Sequence, residues 1–231
     1  MDEQVKDTDF KARREEMLDE ISLGACLMQE QLGRDSFDER VLDAMRNIPR
    51  HVFVPEELQP YAYLNRPLSI GYDKTVSNPL ILAVMTDLLQ VGDDDVVLEI
   101  GTGLGYHAGL VSWLAAYVYS IEIVEELAVE ARQRLAGIGR RNVEVIAGNG
   151  ARGLPSQGPF DRILVTAAPE LMPPALMNQL KPGGRMVIPA GLEGKQMLML
   201  VIKDSTGRLS VQEILPVGFS PLEGDVSVVA S

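Results

Sequence analysis

The feature that most constrains this chain is a strand, a glycine-rich turn and a helix following one another without a gap near its middle. Val96-Val97-Leu98-Glu99-Ile100 is a short apolar run, Gly101-Thr102-Gly103-Leu104-Gly105 follows it directly, and a helical segment then continues through Leu114. A strand with apolar residues in succession has no solvated face, so it belongs in a sheet covered on both sides. The alternation continues downstream. Tyr117 to Glu122 reads as the next strand, and Val124, Leu127, Ala128, Ala131 and Leu135 recur at helical spacing up to Gly137. Val143 to Ala147, Arg162 to Ala167 and Arg185 to Ile188 supply further buried strands, with a helix over Pro173 to Leu180 before the last. Gln196 to Lys203 and Leu209 to Leu215, separated by Asp204-Ser205-Thr206-Gly207, predict an antiparallel hairpin closing the sheet. The expected architecture is α/β, with a mostly parallel sheet.

The first 60 residues read instead as helices. Ser36-Phe37-Asp38-Glu39 has capping-box spacing before Val41, Leu42 and Met45, and Pro49 ends that segment. Pro60 to Asn78 reads as a loop, after which Asn78-Pro79 offers a cap and a first-turn proline to a helix reaching about Gln90. We expect one domain over 1–231, with 1–78 as helical extension and substrate loop and 79–231 as the α/β core.

Composition narrows the function classes. Lys plus Arg total 21 against 33 Asp plus Glu, a net charge of −12, so the surface as a whole repels phosphate backbones and anionic lipid. Neither nucleic acid nor a membrane is expected as a partner. One cysteine, Cys26, and two histidines, His51 and His107, leave no Cys/His set for a tetrahedral zinc site. Met1 to Glu20 is dense in both signs of charge, and no apolar run reaches bilayer length. A cytoplasmic location is expected. Cys26, Met197 and Met199 read as core filler, His107 as packed or solvent-facing, and His51 as orienting a loop.

In open α/β sheets ligands sit at the carboxyl ends of the strands, which makes the Gly101–Gly105 turn the leading site. Two cofactor classes fit it. Gly103-x-Gly105-x-x-Ala108 matches a dinucleotide fingerprint, with Glu122 about 20 residues on to hold a ribose. S-adenosylmethionine accounts for Glu99 as well, an acid that would repel a phosphate and attract a methionyl ammonium. Glu122 has acceptor capacity for both ribose hydroxyls, and Asn149 of Gly148-Asn149-Gly150 can offer its carbonyl oxygen to an adenine amino group.

With these residues in place, the chain resembles protein-L-isoaspartate (D-aspartate) O-methyltransferases over nearly its full length. Val41-Leu42-Asp43-Ala44-Met45 through Pro49-Arg50-His51-x-Phe53-Val54-Pro55 is similar to the family's lead-in, as is Arg66-Pro67-Leu68-x-Ile70-Gly71. Val97 to Tyr106 is similar to its cofactor motif, and Val165-Thr166-Ala167-Ala168-Pro169, Gln179 to Arg185 and Phe219-x-Pro221-Leu222 to later segments. The resemblance implies a Rossmann-like class I methyltransferase sandwich of three layers, S-adenosyl-L-methionine as cofactor, and isoaspartyl residues of damaged proteins as substrate, methylated for repair by a monomer. It also implies cofactor contacts from Glu99, Gly101, Thr102, Gly103, Gly105, Tyr106, Glu122, Asn149 and Gly150. Ser77, with Thr75, would position the substrate carboxylate at the positive start of the Pro79 helix; read alone, Ser77 is a helix cap. The family's substrate loop runs Gly-Gln-Thr-Ile-Ser-x-Pro, and here Asp73 and Lys74 replace the glycine and glutamine. That departure leaves room for another carboxylate substrate, or for cofactor binding without transfer.

Overall fold

The computed structural model describes residues 2–224. Its centre is a seven-stranded sheet in the order β5-β4-β3-β6-β7-β8-β9. The strands are β3 (Val96–Ile100), β4 (Tyr117–Glu122), β5 (Val143–Ala147), β6 (Phe160–Val165), β7 (Leu180–Ala190), β8 (Gln196–Lys203) and β9 (Leu209–Val217). The first five in that order run parallel, whereas β8 is antiparallel to both β7 and β9. The chain steps outward from β3 through β4 to β5 and then returns to the other side of β3 as β6. This reversal opens a crevice at the carboxyl end of β3, where the glycine turn lies.

Alternate residues of the buried strands serve two cores. Val97, Val118, Leu164 and Val187 face the larger one, with α5 (Tyr106–Leu114) and α6 (Glu125–Gly137). Leu98, Ile121, Ile163 and Met186 face the smaller one, covered by the short α7 (Pro174–Asn178). The helix α4 (Pro79–Leu89) is buried continuously from Leu82 to Leu89, because the N-terminal α1 (Asp2–Leu27) and α3 (Glu39–Asn47) pack over it. A helix apolar on all sides is stable only when enclosed in this way. Its one acid, Asp87, is paired with Arg34 and accepts from Asp38 N at 2.9 Å, tying the extension to the core. A single turn, α2 (Gln29–Leu32), links α1 to that region.

Several local expectations are corrected. Ser36 does not cap α3; Asp38 does, accepting from Arg40 N at 2.9 Å. The stretch from Pro60 to Asn78 is not all loop, since Leu68–Gly71 (β1) and Lys74–Val76 (β2) form an antiparallel hairpin. Its turn residues Tyr72 and Asp73 have φ of 53° and 55°, a geometry that supports tight two-residue turns. Alternation over three or four residues is too short to announce such a hairpin. The strand placed over Arg162 to Ala167 begins at Phe160, β7 begins at Leu180, and the helix expected through Leu180 ends at Asn178. Cys26 is exposed on α1 and is not core filler, and Met197 and Met199 are only partly buried. Asn78 does cap α4, accepting from Ile81 N at 3.2 Å with Pro79 behind it. Among the described residues no helix is long and apolar enough to cross a membrane.

Candidate active site

The glycine turn is built to bring backbone close to whatever occupies the crevice. Gly101 has φ of 93°, and a Cβ there would overlap Thr166 Oγ1, the hydroxyl that locks this strand end by donating to the Gly101 carbonyl at 2.6 Å. Glu122, at the tip of β4, braces the same turn from the other side. Its carboxylate accepts from Gly103 N at 2.7 Å and from Val124 N at 3.0 Å. A carboxylate offers about four acceptor sites, so two remain for a ligand on the cavity side.

A cavity of about 620 Å³, its open mouth included, spans the tips of β3, β4 and β6. Gly101, Gly103, Glu122, Gly150 and Thr166 line it together with Lys74, Thr75 and Ser77. A second space of about 370 Å³ shares Thr75, Ser77, Gly101 and Thr166 with it and reaches Tyr106 and His107. Asn78 rather than Ser77 supplies the α4 cap, so the Ser77 hydroxyl is not consumed by the helix end. The Phe219–Glu223 segment roofs the larger cavity. It is fastened to the strand end after β6 by Ala168 N donating to Ser220 O and Leu222 N donating to Ala168 O, both at 2.9 Å.

Beneath the hairpin lies a residue that the sequence reading passed over. Arg50 is fully buried, donates to Ala62 O and Ser77 O at 2.7 Å each, and stacks its guanidinium 4.9 Å from the Tyr106 ring centre. Burial lowers its pKa to about 10, which still leaves it charged at neutral pH. A buried cation holding the Ser77 carbonyl fixes the backbone that presents the Ser77 hydroxyl. No spacing rule signals such a contact, because its partners lie 12 and 27 residues away. His107 is packed, as expected, with Nε2 2.9 Å from Thr86 Oγ1. Desolvation lowers its pKa to about 3, so it is a neutral ring. His51 stacks on Phe10 at 4.1 Å and meets the Tyr63 hydroxyl at 2.8 Å, which anchors α1 to the segment before the hairpin.

The anticipated site residues divide into two groups. Thr75, Ser77, Gly101, Gly103, Glu122 and Gly150 meet on the wall of the larger cavity, and Thr102 and Tyr106 line the smaller one. Glu99, Gly105 and Asn149 line neither. Glu99 is fully buried behind the turn, accepting from Ser120, whose hydroxyl lies 2.5 Å from Thr102 Oγ1. Burial, only partly offset by the Ser120 hydrogen bond, raises its pKa to about 8, which disfavours its charged form. Asn149 uses Oδ1 to accept from Ala151 N at 2.9 Å, and Gly224 lies against its amide. Gly105 turns the chain into α5 against Ala131 and Leu135. Thr166, Lys74 and the roof were absent from the expected set, although Phe219-x-Pro221-Leu222 stands out in the sequence.

The cavity has the mixed polar and apolar lining usual for a small-molecule site. The residues present fit an adenosyl cofactor, with backbone at the glycine turn for close approach and a carboxylate beside it with acceptor sites in reserve. Residues 25–227 match the sequence model of the family described as protein-L-isoaspartate(D-aspartate) O-methyltransferase (PCMT). Protein-L-isoaspartate O-methyltransferase 1 of Polaromonas sp. is 54% identical over 219 residues, covering 95% of this chain and 93% of its own length. Protein-L-isoaspartate O-methyltransferase 2 of Syntrophobacter fumaroxidans is 50% identical over 94% of this chain and 89% of its own. A solved protein-L-isoaspartate O-methyltransferase superposes with a TM-score of 0.74 at 26% identity, over 89% of this chain and 67% of that one. The fold also matches, with a TM-score of 0.70 at 21% identity over 80% of this chain and 91% of the other, a Plasmodium falciparum structure described as such an enzyme in complex with S-adenosyl-L-homocysteine. Matched over residues 25–227 and by relatives of this identity, this chain belongs to the protein-L-isoaspartate(D-aspartate) O-methyltransferase family.

Proposed function

We propose that the chain methylates the α-carboxylate of L-isoaspartyl residues in damaged proteins, with S-adenosyl-L-methionine as donor. The observation that carries this reading is the sharing of one cavity by the Glu122–glycine-turn end and the Thr75–Ser77 end. When bound, the cofactor supplies an electrophilic methyl whose carbon–sulfur bond breaks, its electron pair going to sulfur, as a carboxylate oxygen takes the methyl. The chain itself has little acid–base work to do. A carboxylate with a pKa near 4 is already a nucleophile at neutral pH, so alignment is the main task.

In this assignment Glu122 receives the ribose hydroxyls on its two free acceptor sites, while the amides of Gly101 and Gly103 and the backbone at Gly150 border the rest of the nucleoside. Thr102, through Ser120 and Glu99, stiffens the turn from behind. Tyr106 acts by packing over Arg50. Ser77, with Thr75 and the positive end of α4, holds the substrate carboxylate, and Arg50 positions Ser77 from below. Ile121, Phe219 and Leu222 supply apolar walls that exclude water. The ester formed can close to a succinimide and reopen partly as normal aspartate. The chain works on this reading as a cytoplasmic monomer without nucleic acid or membrane, in keeping with its net charge of −12.

Labelled methyl transfer to an isoaspartyl peptide and its aspartyl twin tests the assignment. The isoaspartyl peptide is expected to be labelled and its twin not. Equal labelling of both, or labelling of neither, would overturn the repair reading.

A further inference from the structure

The departure of the hairpin from its family pattern places a cation at the cavity mouth, where the structure gives it a defined partner. Lys74 does not pair with the adjacent Asp73; its Nζ forms an ion pair with Glu223 of the roof. Ser220 adds a second link across the same gap, donating from Oγ to the Asp73 carbonyl at 3.2 Å. Among the described residues that line the larger cavity, Lys74 is the only cation, and it shares the lining with Glu122 and Glu223. The whole chain carries −12, so an acidic peptide approaches against its field, and Lys74 is the local charge that offsets this.

The two partners differ in exposure. The Lys74 side chain is 18% exposed and that of Glu223 55%, so Glu223 can return to water at little cost while Lys74 stays at the rim. The reacting carboxylate is assigned to Ser77, three residues along the chain from Lys74. Lys74 is therefore left for the residue next to the isoaspartyl group in the peptide chain.

Resting on the reading above, we propose that Lys74 is a specificity-determining residue that takes a second, flanking carboxylate of the peptide in exchange for Glu223. The chain thereby favours isoaspartyl sites with an acidic neighbour. In the unliganded cleft Glu223 satisfies the ammonium and stands in for that carboxylate. Without Lys74, the unpaired Glu223 would leave the rim acidic and reverse the preference.

The test compares full-length wild type, K74Q, K74R and E223Q on isoaspartyl peptides that differ only in the following residue, Glu, Gln or Lys. kcat/KM for methyl transfer is read at low and high salt. Wild type is expected to favour the Glu peptide over the Lys peptide by about two- to fivefold, the range of an exposed ion pair, and to lose that ratio at high salt. K74R keeps the preference, E223Q increases it, and K74Q inverts it. An unchanged ratio in K74Q, or a wild type indifferent to the neighbour while still labelling all three peptides, would overturn the inference alone. Labelling of none of the peptides by wild type would overturn both it and the isoaspartyl reading.

Discussion

Two glutamates at neighbouring strand tips have opposite fates, and the difference lies in what surrounds each. Glu122 faces the cavity with acceptor sites to spare, while Glu99 is enclosed and its pKa is raised to about 8 by burial. Glu122→Ala should raise the dissociation constant for S-adenosylhomocysteine about tenfold or more, since a hydrogen bond to a charged group contributes roughly 1.5–3 kcal/mol. Calorimetry checks this. Thermal unfolding of the same variant should show destabilisation of about 1–3 kcal/mol, because Gly103 N and Val124 N lose their acceptor. The effect of Glu99 is one of pH. An acid whose pKa rises from 4.5 unfolded to about 8 folded binds more protons in the native state between those values, so its contribution to stability falls as pH rises through that window. Glu99→Gln should therefore gain melting temperature relative to wild type from pH 5 to pH 8, by an amount worth up to a few kcal/mol. Parallel melting curves across that range would contradict the burial of Glu99 as an uncompensated acid.

At the scale of elements, the hairpin of β1 and β2 combines local strain with the residues proposed to position the substrate. Asp73 sits in the left-handed region at the turn, a conformation that glycine adopts without steric cost and aspartate less readily. Asp73→Gly should stabilise the fold by up to about 1 kcal/mol, measured as a shift in thermal midpoint. How far the elements were legible follows from the physics of each. The strands Val96–Ile100, Tyr117–Glu122 and Val143–Ala147 and helix α5 match the sequence reading residue for residue, because continuous apolar runs between glycines permit few alternatives. Helix α4 was announced by its own cap and proline. The hairpin was not legible, being three to four residues long on each side and stabilised by contacts with a roof 147 and 149 residues away. The site followed the same division. Glu122 and the glycines declared themselves by position after strands, whereas Arg50 and the roof depend on tertiary approach. Glu99 and Asn149 stand in the expected places in sequence but line neither space, Glu99 accepting from Ser120 and Asn149 Oδ1 from Ala151 N.

Across the whole molecule, segments distant in sequence meet at one cleft. The tips of β3, β4 and β6, the β1–β2 hairpin and the Phe219–Glu223 segment all contribute to its lining. The N-terminal helical region is held to the rest of the chain by Arg34–Asp87 and by Arg40 donating to Val91 O at 2.8 Å. The alignment that methyl transfer requires is thus a property of the assembled fold and not of any one segment. Paired measurement on Ser77→Ala tests this most directly: turnover on an isoaspartyl peptide together with calorimetric affinity for S-adenosylhomocysteine. Turnover should fall at least about tenfold while affinity stays within about twofold of wild type, as expected when a positioning hydrogen bond is lost at the substrate end alone. A large loss of cofactor affinity, or unaltered turnover, would contradict the separation of the two ends.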